Sequence, residues 1–199
     1  MLACMDGNIA LPRSPELMSA SDTGLLVVDV QQKLINLIDR HEQLVWNIRR
    51  LVEGAKLLGL PVMATEQYPQ GLGPTAAELV TVLDKVFDKT AFSCGGSPEF
   101  TRELQSTGRR NWLVCGIEAH VCIQQTVLDL VAEGLRIYVA ADAVGSRARL
   151  DYEIALRRME SAGATITTVE AALFEWCQNS KAPQFKQISK LVQEKPPAN

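Results

Sequence analysis

Six short apolar runs alternate with segments of helical period along this chain, and that alternation leaves few architectures open. The run Leu25-Leu26-Val27-Val28 has no polar face and ends at Asp29, as a strand buried on both sides does. From residue 41 to 58, Leu44, Val45, Ile48, Leu51, Val52, Ala55 and Leu58 recur at three and four, until Gly59 and Pro61 stop the helix. Further strands are expected over residues 61–65, 85–87, 112–116, 136–141 and 165–169, and helices over about 76–83, 98–106, 120–133 and 151–162. Ser97 followed by Pro98 is a helix start, the hydroxyl as cap and the proline at the first helical position. Residues 66–75, dense in Gly and Pro, and residues 88–97 read as loops. Strand and helix in alternation imply right-handed crossovers. The expected fold is α/β, a doubly wound, mostly parallel six-stranded sheet in the order 3-2-1-4-5-6 with helices on both faces.

With 199 residues, 47% of them hydrophobic and 22% charged, the chain suits a single domain over residues 1–199, its core at about 22–180, followed by a short helix and tail. A net charge of -3 offers no basic footprint, so no nucleic-acid partner is expected. No apolar run approaches the roughly 20 residues of a membrane span, and the first residues lack the basic-then-apolar pattern of a leader. No membrane partner is expected, and a cytoplasmic location is. The 5 cysteines are odd in number and widely spaced, which argues for reduced thiols. Cys4, Cys115 and Cys177 read as buried or incidental. His41 and His120 sit in no ligand spacing, so neither a metal nor another cofactor is expected.

In an open α/β sheet, ligands bind beyond the carboxyl ends of the strands, where the strand order reverses. Asp29 ends the first strand, Lys89 follows the third, and Cys122 lies just past the fourth where a helix begins. The fold therefore brings an acid, a cation and a thiol to one rim. A cation or a helix start favours the thiolate of Cys122, Asp29 can take and return its proton, and backbone N–H groups in the 118–122 turn can meet a developing oxyanion. Gln31, Gln67, Tyr68, Phe92 and His120 lie on rim segments as candidate substrate contacts. His120 is two residues from Cys122, which on a helix points it to a different face. Gln31 is alternatively a cap for the next helix, and Cys94 either a redox partner or an ordinary loop thiol.

The segments LLVVDVQ, DKTAFS and VCGIEAHVC, in that order and on those strand ends, resemble the isochorismatase-like cysteine hydrolase family over about residues 23–169. The resemblance implies Cys122 as nucleophile, Asp29 as proton shuttle and Lys89 as the thiolate-stabilising cation. It also implies a non-proline cis peptide between Ile117 and Glu118, with the N–H groups of Glu118 and Cys122 as the oxyanion hole. The Asp-x-His pair with which the family's nicotinamidases hold a metal is missing, so the chain is more similar to a metal-free, short branch whose substrates are mostly unassigned. The implied reaction is cleavage of a C–N bond in a small amide, ureido or carbamoyl substrate through a thioester. Two alternatives stand beside it: an acid-catalysed vinyl-ether hydrolase, which needs no thiol, and a non-catalytic oligomeric scaffold. Members are usually oligomers, so a homo-oligomer is expected, with Leu72, Leu79, Val80 and Trp176 as candidate contacts.

Overall fold

Every residue of β1 (Thr23–Val28) is buried, so alternate side chains enter two separate cores. Leu25 and Val27 join one with Ile48, Leu51, Leu113 and Trp176; Leu26 and Val28 join the other with Phe100, Trp112, Val114 and Ile123. The computed structural model describes residues 11–197, and Cys4 lies outside them. With β1, the strands β2 (Val62–Gln67), β3 (Val86–Lys89), β4 (Asn111–Ile117), β5 (Arg136–Gly145) and β6 (Thr165–Thr167) form one parallel sheet in the order 3-2-1-4-5-6. Among the described residues no helix is long and apolar enough to cross a membrane.

Helices cover both faces. Between β1 and β2 lie α1 (Gln32–Ile35) and α2 (His41–Leu57), and α2 buries the stripe the periodicity marked, with Ile48, Leu51, Val52 and Ala55 at 0% exposure. Each of the three larger side chains, Ile48, Leu51 and Val52, contributes about 1.5–3 kcal/mol. Gly59, at φ +73°, ends the helix because only glycine takes that conformation at no cost. Between β2 and β3 come α3 (Pro69–Leu72) and α4 (Ala77–Val80); α5 (Pro98–Ser106) follows β3. Ser97 caps α5, accepting the Phe100 N–H. After β4 a π-helical turn, Ala119–Ile123, leads into α6 (Gln124–Ala132), and α7 (Arg149–Ser161) connects β5 to β6.

Past β6 the structure departs from the expected 165–169 strand. Thr168 caps a helix, α8 (Val169–Cys177), by accepting the Ala171 N–H. Val169, Ala172, Leu173, Trp176 and Cys177 fall at i, i+3, i+4, i+7 and i+8 and all are buried. Trp176, expected as a subunit contact, fills the core at 2% exposure, and Leu79 is likewise interior at 0%. The last helix, α9 (Phe185–Val192), is held on α2 by Arg50, whose Nε donates to the Leu191 carbonyl at 2.9 Å.

Candidate active site

The order reverses between β1 and β4, and their register sets the site. Val28 pairs with Gly116, the last pair before the strands release Asp29 on one side and the Cys122 turn on the other. Gly116 has φ +121°, and a Cβ placed there would lie 2.1 Å from the Val28 carbonyl oxygen. Only glycine allows the two strands to come this close. Asp29 leaves β1 at φ 52°, a left-handed conformation that a short polar side chain tolerates. The peptide between Ile117 and Glu118 is cis.

Asp29 is fully buried, and its carboxylate is held from two neighbouring strands. Thr65 of β2 donates its hydroxyl to Oδ1 at 2.8 Å, and Lys89 donates Nζ to Oδ2 at 2.6 Å. Both side chains of the Asp29–Lys89 pair have 0% exposure. Lys89 also donates toward Gln67 Oε1 at 2.7 Å and the carbonyls of Phe92 at 2.9 Å and Ala91 at 3.2 Å. Four oxygens thus surround an ammonium with three protons, leaving no donor for a substrate. Residues 66, 67, 88 and 89, expected in loops, belong to β2 and β3, whose pairing sets Gln67 opposite Lys89.

Cys122 sits in the π-helical turn at 6% exposure. Burial first, then the Asp29 carboxylate, push its thiol up from the ordinary range, and Lys89 acts against them. The direction is opposite to the lowered thiol the sequence suggested, because desolvation and the acid outweigh an ammonium already committed to that acid. Cys94 stands beside the same acid. Its Sγ is 3.7 Å from Thr65 Oγ1, its N–H donates to Thr126 Oγ1 at 2.9 Å, and burial raises its thiol to about 11. Thr126 lies one turn beyond Cys122, so the 94–96 turn is tied to the helix that carries the thiol.

The rim candidates divide. Tyr68 and Phe92 are 54% exposed and stand free to meet a ligand. Tyr68 also walls a cleft of about 300 Å³ that runs down to Lys89 beside Ser97 and Pro98. Gln31, expected as a rim contact or cap, is fully buried and makes no side-chain cap; its amide binds the N–H and C=O of Gln67 and the carbonyl of Gly73. Gln67 is spent on Lys89 and on the Thr90 carbonyl. His120 turns from the thiol to Ser146, 3.0 Å from Nδ1, with Glu118 at 3.5 Å and Asp151 at 3.8 Å from Nε2. Arg147 binds Glu118 Oε1 at 2.8 Å. Thr65 and Thr126 escaped the sequence reading, although Thr65 of β2 stands opposite Val28, the last residue of β1 before the acid. A larger groove of about 770 Å³, lined by His41, Trp46 and Arg49, includes none of Asp29, Lys89 and Cys122.

Parallel strands in this order, with helices on both faces and an acid, a lysine and a thiol brought to the switch point, make up a fold of the isochorismatase-like class. Residues 23–171 match the isochorismatase domain model, and the chain belongs to that family. It is 42% identical over 174 residues to the human isochorismatase domain-containing protein 2, covering 87% of this chain and 84% of the relative. Among solved structures, the MAR1 ribonuclease of Caenorhabditis elegans superposes with a TM-score of 0.86 at 37% identity, covering 92% of this chain and 95% of that one. The YcaC gene product of Escherichia coli, described as an octameric hydrolase of unknown specificity, shares the fold at a TM-score of 0.84 and 22% identity, covering 91% of each chain.

Proposed function

We propose that this protein is a cysteine-dependent hydrolase that cleaves a C–N bond in a small amide, ureido or carbamoyl compound. The observation that carries the reading is the buried Asp29 carboxylate, locked at 2.6 Å to Lys89 and acting on the Cys122 thiol. In a hydrolase of this kind the protonated thiol is a starting state. As Sγ attacks the substrate carbonyl carbon, its proton passes to Asp29; the carbonyl oxygen, now negative, is met by the N–H groups of Glu118 and Cys122. Collapse breaks the C–N bond, Asp29 returns the proton to the leaving nitrogen, and a thioester remains on Cys122. Water, deprotonated by Asp29, then attacks the thioester and releases the acid and the thiol. Lys89 has no free donor, so it contributes by fixing the acid and through its charge. The octameric neighbour supports assembly into a homo-oligomer, for which the exposed Val80 and the half-buried Leu72 remain available.

The test is a panel of small primary amides and ureides, read by ammonia release and by the intact mass of the protein trapped during turnover. An acyl adduct on Cys122, absent with Cys122→Ala and Asp29→Asn, is the expected result. Turnover that survives Cys122→Ala but not Asp29→Asn overturns the thioester route in favour of acid catalysis alone.

A further inference from the structure

Gln67 stands out because its side chain serves the lysine. It is nearly buried at 9% exposure, and its Oε1 lies 2.7 Å from Lys89 Nζ, second in closeness to the Asp29 contact at 2.6 Å. The remaining acceptors are the main-chain carbonyls of residues 91 and 92, at 3.2 and 2.9 Å. A neutral amide oxygen in this place directs the ammonium without cancelling its charge, which a carboxylate would do.

Gln67 is fixed in its turn. Its Nε2 donates to the Thr90 carbonyl at 2.7 Å, which sets the amide's orientation with Oε1 toward Lys89. Its main chain is clamped by the buried Gln31 amide, whose Oε1 accepts the Gln67 N–H at 2.8 Å and whose Nε2 donates to the Gln67 carbonyl at 3.0 Å. The other contact of Gln31 Nε2 is the Gly73 carbonyl at 2.7 Å, in the segment after α3. Two amides thus link the ends of β1, β2 and β3 below the rim, and the last of them ends on the ammonium.

We propose that Gln67 is a positioning residue for the hydrolytic reaction: through its amide oxygen, held by Thr90 and Gln31, it keeps the Lys89 ammonium on Asp29 without a second carboxylate to weaken further the field that reaches Cys122. This rests on the reading of Asp29, Lys89 and Cys122 as the reacting set. It also accounts for two glutamines at a rim where the sequence suggests substrate contacts.

The experiment follows the pH dependence of Cys122 alkylation by iodoacetamide, resolved by peptide mass spectrometry, in wild type, Gln67→Met, Gln67→Glu, Lys89→Met and the Gln67→Met/Lys89→Met double variant. Near-UV circular dichroism and thermal melting report the fold of each. Gln67→Glu sets a second carboxylate against Nζ, weakening its field at the thiol, so labelling at fixed pH should slow about tenfold, with the profile displaced about one unit upward. Gln67→Met keeps the charge but frees it, and should slow labelling about threefold in the same direction. In the Lys89→Met background, Gln67→Met should add nothing, since its effect runs through the lysine.

A purely structural glutamine would lower the melting temperature in both Gln67 variants and leave the labelling profile in place, and that result overturns the proposal. So does an undiminished Gln67→Met effect without the lysine. If Lys89→Met itself leaves the profile unmoved, the reading of the lysine fails first, a separate outcome from failure of Gln67 alone. Should Lys89→Met not fold, the contrast between Gln67→Glu and Gln67→Met decides, because the first adds a negative charge beside Nζ and the second only removes the amide; equal profiles in the two overturn the proposal.

Discussion

Lys89 Nζ lies 2.6 Å from Asp29 Oδ2, with both side chains wholly removed from solvent. A buried ion pair of this kind costs desolvation on both sides, and its attraction offsets that cost only with good geometry and further hydrogen bonds. Here Thr65 supplies one to the acid, and Gln67 and two carbonyls supply the rest to the ammonium.

Breaking the pair should therefore cost more than removing it. Lys89→Met leaves an unpaired buried carboxylate and should destabilise the fold by about 3–5 kcal/mol. Adding Asp29→Asn, a residue that tolerates the left-handed backbone, should restore most of the loss. Urea denaturation of the three proteins measures both steps, and equal stability of the single and double variants would contradict the argument.

The thiol carries the second prediction. Since burial and Asp29 both push the Cys122 thiol up, its alkylation in the native protein should climb through the alkaline range with no plateau near neutrality. Asp29→Asn removes one of the two upward influences and should speed labelling at fixed pH, even as it abolishes turnover. Slower labelling in that variant would show that the carboxylate acts as a base toward the reagent and outweighs its charge.

Stability should fall in alkali. Cys94, Cys115 and Cys122 are all raised by burial, so each stays neutral in the fold at pH values where the unfolded chain ionises. The stability they lend is whole below the unfolded thiol value and is lost as pH rises through the folded one. For Cys94 the window runs from the ordinary thiol value to about 11. Each thiol should contribute a slope of about 1.4 kcal/mol per pH unit there, and Cys94→Ala should remove its share. Urea midpoints at a series of pH values give the slope.

Tyr68 and Phe92, both 54% exposed, make the fourth test. Truncating either to alanine should change stability by no more than about 0.5 kcal/mol, as surface substitutions do. Should they meet the substrate, KM rises while kcat holds, and unchanged steady-state constants would remove them from the site.

How far the sequence carries can be seen residue by residue. That Asp29, Lys89 and Cys122 converge was legible because strand ends fix where side chains emerge, and strand order then fixes which ends adjoin. Helix α8 was missed: its apolar residues do recur at three and four, but a strand reading to residue 169 ran over its cap at Thr168. What the sequence did not disclose was which polar groups face inward. Gln31 and Gln67 occupy rim positions by number, yet their amides point at backbone and lysine, a choice made by hydrogen bonds between segments 36 residues apart. The direction of the thiol's shift was hidden for the same reason, since a lysine that shares its charge with an acid lowers a thiol less than a free one does.

One methyl group's absence governs more than any side chain at the rim. At Gly116 the space a Cβ would need is taken by the Val28 carbonyl, one residue before the acid. Alanine there acts as a wedge: it prises the strand that bears the acid from the strand that leads to the thiol, leaving every reacting atom in place on its own residue. Such a lesion is expected to abolish the proposed hydrolysis without altering any reacting group, and a search for inactivating variants confined to reactive side chains would pass over it.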